Sequence, residues 1–191
     1  MVICLYGASS TQLDPAYFTA VEAFGRELGR RGHTLLYGGG AQGLMGAAAR
    51  GTKAGGGKVI GVAPRFFDVD GILYPDCDEF IYTETMRERK AILSERADAF
   101  VAVPGGIGTF DEFFEVLTLK QLGRHNKPIT LLNLQDYYAP LLAMLESAIE
   151  KGFMGAACRG IYRSFEDGCA LLDYLEHYDA GALDVRHLKN I

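Results

Sequence analysis

The sequence predicts an α/β fold, a Rossmann-like doubly wound parallel sheet in three layers. Two observations carry that expectation. Short runs rich in β-branched and aromatic residues alternate with stretches of helical period along the whole chain. The strand-like runs are also almost continuously apolar, as parallel strands are when helices cover both faces of the sheet.

Taken in order, VICLYG (2–7) reads as the first strand. A helix follows from about Pro15 to Arg31, with Tyr17, Val21, Phe24 and Leu28 recurring at three and four residues. TLLYGG (34–39) is a strand leading into the helix LMGAAARGTKAG, and KVIGVAP (58–64) is the next strand, with Lys58 as its polar start. An irregular stretch rich in Asp and aromatics precedes the strand EFIYT (79–83) and a helix from Glu84 to Arg96. AFVAVP (99–104) is a strand, Phe110 to Leu122 a helix, PITLLN (128–133) a strand and Tyr137 to Lys151 a helix. GIYRSF (160–165) and a helix from Glu166 to Tyr178 complete the pattern. With 191 residues and no repeat, low-complexity run or linker, residues 1–191 are expected to form one nucleotide-binding α/β domain.

A formal net charge of −5 argues against a surface built to grip nucleic acid. The basic cluster Arg26, Arg30 and Arg31 reads as the solvated end of a helix. Cys4, Cys77, Cys158 and Cys169 lie far apart without metal-ligand spacing, and Cys4 falls in an apolar strand as a small hydrophobe. The opening MVICLYG is too short for a signal peptide, and no apolar run reaches the roughly 18 to 20 residues of a membrane span. The reduced cytoplasm is the expected compartment.

In doubly wound sheets, ligands bind beyond the carboxyl ends of the strands. Three such loops stand out: GASS (7–10), GGGAQGLMG (38–46) and PGGIGTFDE (104–112). Gly38, Gly40 and Gly43 satisfy GxGxxG, but GVAP occupies the place of the ribose-binding acid, and Asp68 and Asp70 lie several residues beyond it. NAD is therefore disfavoured. A Walker A loop is missing too, since Gly57-Lys58 is followed by Val59. Glycines still let backbone N–H groups approach an anion in front of a helix dipole. The two glycine loops, on what are expected to be adjacent strands, would face each other across a crevice. The bland alternative is a pair of tight turns shaped for packing.

Thr109 and Glu112 fit the T-x-x-E capping box, a complete structural account of both. Against it stands the placement of the carboxylate at the carboxyl edge of the sheet. Glu115 shares its helix face and is a candidate ribose-hydroxyl acceptor; Asp111 reads as solvated. Phe110, Phe113, Phe114, Val116, Leu117 and Leu119 make this helix apolar over much of its circumference, so a second subunit is expected on the side away from the sheet. In TMRERKAIL (85–93), Arg89 can bind phosphate or ribose as a fork, with Met86 and Lys90 beside it; Arg87 and Glu88 read as surface. His33, His125, His177 and His187 lack ligand spacing and also read as surface residues, so no metal is expected.

Together these motifs resemble the Lonely Guy family of cytokinin riboside 5′-monophosphate phosphoribohydrolases. The pattern GGGxxGLMG, MxxRK and PGGxGTxxE falls on Gly38 to Gly46, Met86 to Lys90 and Pro104 to Glu112, supported by RADAF and QLGRHNKP. The resemblance, from about Val2 to Leu145, implies a homodimer that cleaves the N-glycosidic bond of a nucleoside 5′-monophosphate without a cofactor. It implies Arg89 and Glu112 as the catalytic pair. Substrate contacts would come from Gly38, Gly39, Gly40, Gly43, Met86, Lys90, Gly105, Gly106, Gly108, Thr109 and Glu115, with phosphate on the loop around Gly105 to Thr109. Two positions depart from the family: Arg87 stands where His is common, and Thr118-Leu119 where TW is frequent. Neither touches the catalytic pair, and the resemblance implies that either could change the shape of the base pocket. Many relatives carry a lysine decarboxylase label, yet no SxHK-type pyridoxal-phosphate context occurs here. A non-catalytic nucleotide sensor or carrier, and a broader nucleotide 5′-monophosphate nucleosidase, remain the competing readings.

Overall fold

A computed structural model describes residues 1–69, 71–182 and 184–189; Asp70 lies outside them. Seven parallel strands form the sheet: β1 (Val2–Tyr6), β2 (Thr34–Tyr37), β3 (Lys58–Pro64), β4 (Glu79–Thr83), β5 (Ala99–Ala102), β6 (Ile129–Leu132) and β7 (Arg163–Phe165). Their spatial order is β4-β3-β2-β1-β5-β6-β7. The chain moves outward from β1 in one direction, then returns to β5 on the other side of β1 and moves outward again. The switch point lies between β1 and β5, which pair from Ile3 opposite Ala99 to Tyr6 opposite Ala102.

The helices are α1 (Pro15–Arg30), α2 (Gly43–Ala54), α3 (Met86–Arg96), α4 (Ile107–Gln121), α5 (Ala139–Glu150), α6 (Gly168–Glu176) and α7 (Val185–Lys189). Strand periodicity divides the interior into two cores. Ile3, Leu5, Leu35, Val59 and Val101 face α1, α2 and α6, while Cys4, Tyr6, Leu36, Val62 and Phe100 face α3, α4 and α5. Reversing the direction of travel across a sheet with right-handed crossovers moves the helices to the opposite face, which gives this three-layer arrangement. Each fully buried Leu contributes about 1.5–3 kcal/mol from removal of its surface from water.

Local chemistry sets the helix ends. Asp14 caps α1 by accepting from Ala16 N–H (2.8 Å), with Pro15 as the first helical residue. Thr85 caps α3 by accepting from Glu88 N–H (3.1 Å), and Glu88 reaches back to accept from Glu84 N–H (2.9 Å). Glu88 is thus a capping group, and α3 starts two residues later than the sequence suggested. Conversely, α4 starts at Ile107, not Phe110, so Thr109 lies inside its first turn. The expected capping box at Thr109 and Glu112 does not form; Gly106 is the N-cap, without a side-chain cap bond.

Other expectations change in detail. The region before α5 is a 3-10 turn, Leu134–Asp136, in which Gln135 (φ 51°) and Asp136 (φ 56°) are left-handed. The run 160–165 yields only the short β7, its start being drawn into a 3-10 turn, Ala156–Gly160. The helix α7 was not anticipated. Arg31 is not a free surface cation, since it donates to Glu27 (2.7 Å), Asp173 (2.6 Å) and Glu176 (3.0 Å) and ties α1 to α6. His33 is buried against Glu176 (2.7 Å), and His125 is half-buried on the Val116 carbonyl (2.9 Å), so neither is a surface residue. Among the described residues, no helix is long and apolar enough to cross a membrane.

Candidate active site

A cavity of about 580 Å³ opens at the carboxyl ends of β1, β2 and β5. The two glycine loops are not on neighbouring strands as expected: β1 runs between β2 and β5, and its own loop, Gly7–Ser9, forms the floor between them. Ala8 holds both sides. Its N–H donates to the Pro104 carbonyl (3.1 Å), and its carbonyl accepts from Leu44 N–H (2.8 Å) and Met45 N–H (3.4 Å).

Arg89 and Glu112 meet at the wall of this cavity. Arg89 donates from Nη1 to Glu112 Oε1 (2.6 Å) and from Nε to the Val62 carbonyl (3.1 Å). Both side chains are largely withdrawn from water, at 9% and 11% exposure. The spacing from Thr85 through α3 brings Arg89 inward under β3, and the early start of α4 turns Glu112 toward it. Burial pushes the Glu112 carboxyl above the usual glutamate range, and the Arg89 charge opposes that rise. A carboxylate held in this low-dielectric site acts more strongly on a nearby positive charge than it would in water.

The β5–α4 loop presents N–H groups and hides carbonyls. The Val103 carbonyl accepts from Tyr138 Oη (2.7 Å) and the Pro104 carbonyl from Ala8 N–H (3.1 Å). The Gly105 carbonyl accepts a short hydrogen bond from Tyr137 Oη, and the Gly106 carbonyl accepts from Phe110 N–H (3.0 Å). Four successive carbonyl oxygens are therefore engaged. The first N–H groups of α4 have no partner within the helix and carry the positive end of its dipole. A Cβ at Gly106 or Gly108 would meet nothing within 4 Å, so this face is open. Thr109 is buried, with its hydroxyl filling the space a side chain at Gly105 would need.

The β2–α2 loop is built differently. Its helix N–H groups at Leu44 and Met45 are already taken by the Ala8 carbonyl. Gly38 leaves room for Arg89, whose Nη2 would lie 2.2 Å from a Cβ there. Gly43 has φ +64° and would bring a Cβ within 2.3 Å of the Ala8 carbonyl. Gly39 packs on the Phe80 ring. For this loop, the packing interpretation is the better one.

The far wall is apolar: Phe67, Ile72 and Leu73 from the segment between β3 and β4, with Met45 and Met86. That segment is tied to the β2–α2 loop by Ala41 N–H on the Ile72 carbonyl (2.8 Å) and Tyr74 N–H on the Gly39 carbonyl (2.8 Å). Of the residues expected at the site, Gly38, Gly40, Met86, Arg89, Gly106, Gly108, Thr109 and Glu112 line the cavity. Gly39, Gly43 and Gly105 support it from behind. Lys90 and Glu115 are turned away and pair with each other (2.5 Å), with Asp111 as a second partner of Lys90 (3.1 Å). Sequence reasoning missed Ser9, Gln42 and the apolar segment, and it missed Tyr137 and Tyr138. GASS had the right position after a strand, and Gln42 lies within GGGAQGLMG; the apolar segment and the two tyrosines carry no motif. Among the described residues, no group of three or more His, Cys, Asp or Glu side chains is arranged to hold a metal ion.

A family profile described as "Possible lysine decarboxylase" matches residues 45–175. Cytokinin riboside 5′-monophosphate phosphoribohydrolase LOG2 of Arabidopsis thaliana is 39% identical over 176 residues, covering 92% of this chain and 83% of the relative. Cytokinin riboside 5′-monophosphate phosphoribohydrolase LOG of Oryza sativa subsp. japonica is 39% identical over 176 residues, covering 92% and 73%. Among solved structures, the molybdenum cofactor carrier protein of Chlamydomonas reinhardtii superposes with a TM-score of 0.70 at 23% identity, covering 92% and 95% of the two chains. The molybdenum cofactor binding protein of Rippkaea orientalis does so with a TM-score of 0.71 at 22% identity, covering 92% and 94%. At that level of identity the structural likeness speaks to the fold alone.

Proposed function

We propose that this chain, which belongs to the Lonely Guy family of cytokinin riboside 5′-monophosphate phosphoribohydrolases, hydrolyses the N-glycosidic bond of an N6-modified adenosine 5′-monophosphate. The products are the free base and ribose 5-phosphate. The observation that carries this reading is the buried Arg89–Glu112 pair (2.6 Å) in the wall of a cavity with an uncapped helix N-terminus and an apolar wall.

Each part has a task in that reaction. The open N–H groups at the start of α4 receive the 5′-phosphate, and the apolar segment receives the base with its N6 substituent. Glu112 then faces the ribose. As the bond from the base nitrogen to the anomeric carbon breaks, positive charge develops on the sugar, and the carboxylate gains interaction with it. Water adds to the anomeric carbon, Glu112 takes its proton, and the departing base takes a proton from solvent on a ring nitrogen. Arg89, fixed by Val62 and lodged against Gly38, keeps the carboxylate ionised and aimed. The binding energy of the remote phosphate supplies positioning at the reacting bond.

A pyridoxal-phosphate decarboxylase does not fit this cavity. That chemistry needs a lysine for a Schiff base, and among the described residues no lysine lines the cavity. Lys90 is held by Glu115 and Asp111 outside it.

The decisive experiment is Glu112→Gln with AMP and N6-isopentenyl-AMP as substrates. Release of free base should fall by about 10²–10³-fold or more, while nucleotide binding by calorimetry stays close to that of the parent. Parent-like turnover in the variant would remove Glu112 from the chemistry. A parent that binds AMP but never releases base would favour the sensor or carrier reading.

A homodimer in the cytoplasm completes the proposal. The dimer is supported by the outer side of α4, where Phe114, Thr118 and Leu119 line an open surface groove and Leu122, just past the helix end, is 40% exposed. Sedimentation equilibrium at micromolar concentration should return twice the chain mass of 20.8 kDa, and a monomer there would discard the dimer.

A further inference from the structure

We propose that Tyr137 is a positioning residue for the anion loop: its hydroxyl holds the Gly105–Gly106 peptide in the one orientation that offers an N–H to the substrate phosphate. The inference rests on the phosphate placement proposed above and adds the device that keeps the loop competent.

A peptide unit is planar and trans, so its carbonyl oxygen and N–H point in opposite directions. Fixing one fixes the other. In this loop, the Gly105 carbonyl accepts from Tyr137 Oη, which commits the Gly106 N–H to the opposite side. Gly106 lines the cavity, whereas Gly105 is buried behind it. Rotation of this peptide would turn the Gly105 oxygen toward the cavity and repel the anion the site is built to receive.

Of all the peptides in the loop, this one is the least restrained by its own residues. Both flanking residues are glycine, for which alternative φ and ψ values cost little. Its neighbours are held by backbone partners: Pro104 O accepts from Ala8 N–H (3.1 Å), and Gly106 O accepts from Phe110 N–H (3.0 Å). Among the described residues, the bond recorded for the Gly105 carbonyl comes from a side chain.

The element that delivers the hydroxyl is itself braced. Asn133 is buried, and its Oδ1 accepts from Tyr138 N–H (2.7 Å). Tyr138 is fully enclosed and donates to the Val103 carbonyl (2.7 Å). Between them, Gln135 and Asp136 adopt left-handed backbone, φ 51° and 56°, a region uncommon for residues other than glycine and more accessible to Asp than to Gln. The turn accepts that local strain, and it sets two adjacent tyrosines against two carbonyls of the same loop.

The test is Tyr137→Phe, which removes one oxygen and leaves the ring in place. Three quantities are measured beside the parent: KM for AMP, competitive inhibition by ribose 5-phosphate, and competitive inhibition by adenine. The variant should show a rise of about tenfold in KM and an equal weakening of ribose 5-phosphate, with adenine inhibition and kcat within twofold of the parent. Unchanged ribose 5-phosphate inhibition would overturn the inference. So would a parallel loss of adenine and ribose 5-phosphate binding, which marks general damage. A second readout needs no turnover: in ¹⁵N-labelled protein, the Gly106 amide should be a single sharp resonance in the parent and exchange-broadened or doubled in the variant. A sharp, unshifted Gly106 resonance in both would equally refute it. If the parent hydrolyses neither AMP nor N6-isopentenyl-AMP, the proposed reaction falls, and the amide measurement still decides the role of Tyr137.

Discussion

The two glycine-rich loops, 38–46 after β2 and 104–109 after β5, look alike as text and differ as objects. Both follow a strand, both lead into a helix, and both would serve as anion cradles on composition alone. In the first, the helix N–H groups are consumed by the Ala8 carbonyl, and the glycines leave room for Arg89, the Phe80 ring and neighbouring backbone. In the second, the carbonyls are consumed by Tyr137, Tyr138, Ala8 and Phe110, and Gly106 and Gly108 face open space. A missing side chain can admit a ligand or admit the rest of the protein. Which of the two happens depends on where the surrounding hydrogen bonds go.

The sharpest separation of the two loops comes from adding one methyl group to each. Gly43→Ala puts a Cβ 2.3 Å from the Ala8 carbonyl at φ +64°, and chemical denaturation should show a loss of about 3 kcal/mol or more. A stability close to the parent would mean that the first loop can yield and is not shaped by packing. Gly108→Ala should instead leave stability unchanged or raise it by up to about 1 kcal/mol, since a helical glycine is replaced where nothing stands within 4 Å. Its KM for AMP should rise by about tenfold if the methyl enters the space proposed for the phosphate. Equal effects on folding from the two variants would erase the contrast drawn above.

The smallest effect concerns the pair that both loops flank. The Glu112 carboxyl is raised by burial, so it protonates at a higher pH than an ordinary glutamate. Activity that needs the carboxylate should therefore be lost, as pH falls, before solvent-exposed carboxylates titrate. Lys90 lowers the Glu112 pKa slightly, so Lys90→Met should move the acid limb of kcat further up. An acid limb that stays in place or moves down would show that Lys90 does not act on Glu112.

The sheet and the helix order were legible because burial on two faces writes itself into continuous apolar runs such as VICLY and AFVA. The strand order was less so. Nothing local distinguishes a strand that lies beside β1 from one that lies beyond it, and the glycine loops were accordingly expected on neighbouring strands. Arg89 and Glu112 could be named from motif spacing, but their mutual contact could not. The T-x-x-E pattern has a sufficient local explanation in a capping box, and only the Gly106 N-cap, three residues upstream, frees Glu112 from it. Lys90 and Glu115 were expected at the substrate because one follows Arg89 directly and the other shares a helix face with Glu112; each is instead held by the other, off the cavity. Tyr137 left no trace in the sequence, since it acts on a carbonyl 32 residues away through a turn whose left-handed residues are not glycines.

Ala8 has a consequence for how chains with this architecture can diverge. One peptide neighbourhood serves as abutment to both loops, giving its N–H to Pro104 and its carbonyl to Leu44 and Met45. A shift at either loop is thereby passed to the other, so that the apparatus around the reacting bond drifts as a block or not at all. Among the described residues, the segment carrying Phe67, Ile72 and Leu73 joins the block through two hydrogen bonds to the β2–α2 loop and makes none to Ala8. With base and phosphate seated as proposed, change on the base side is mechanically easier in this molecule than change on the sugar-phosphate side.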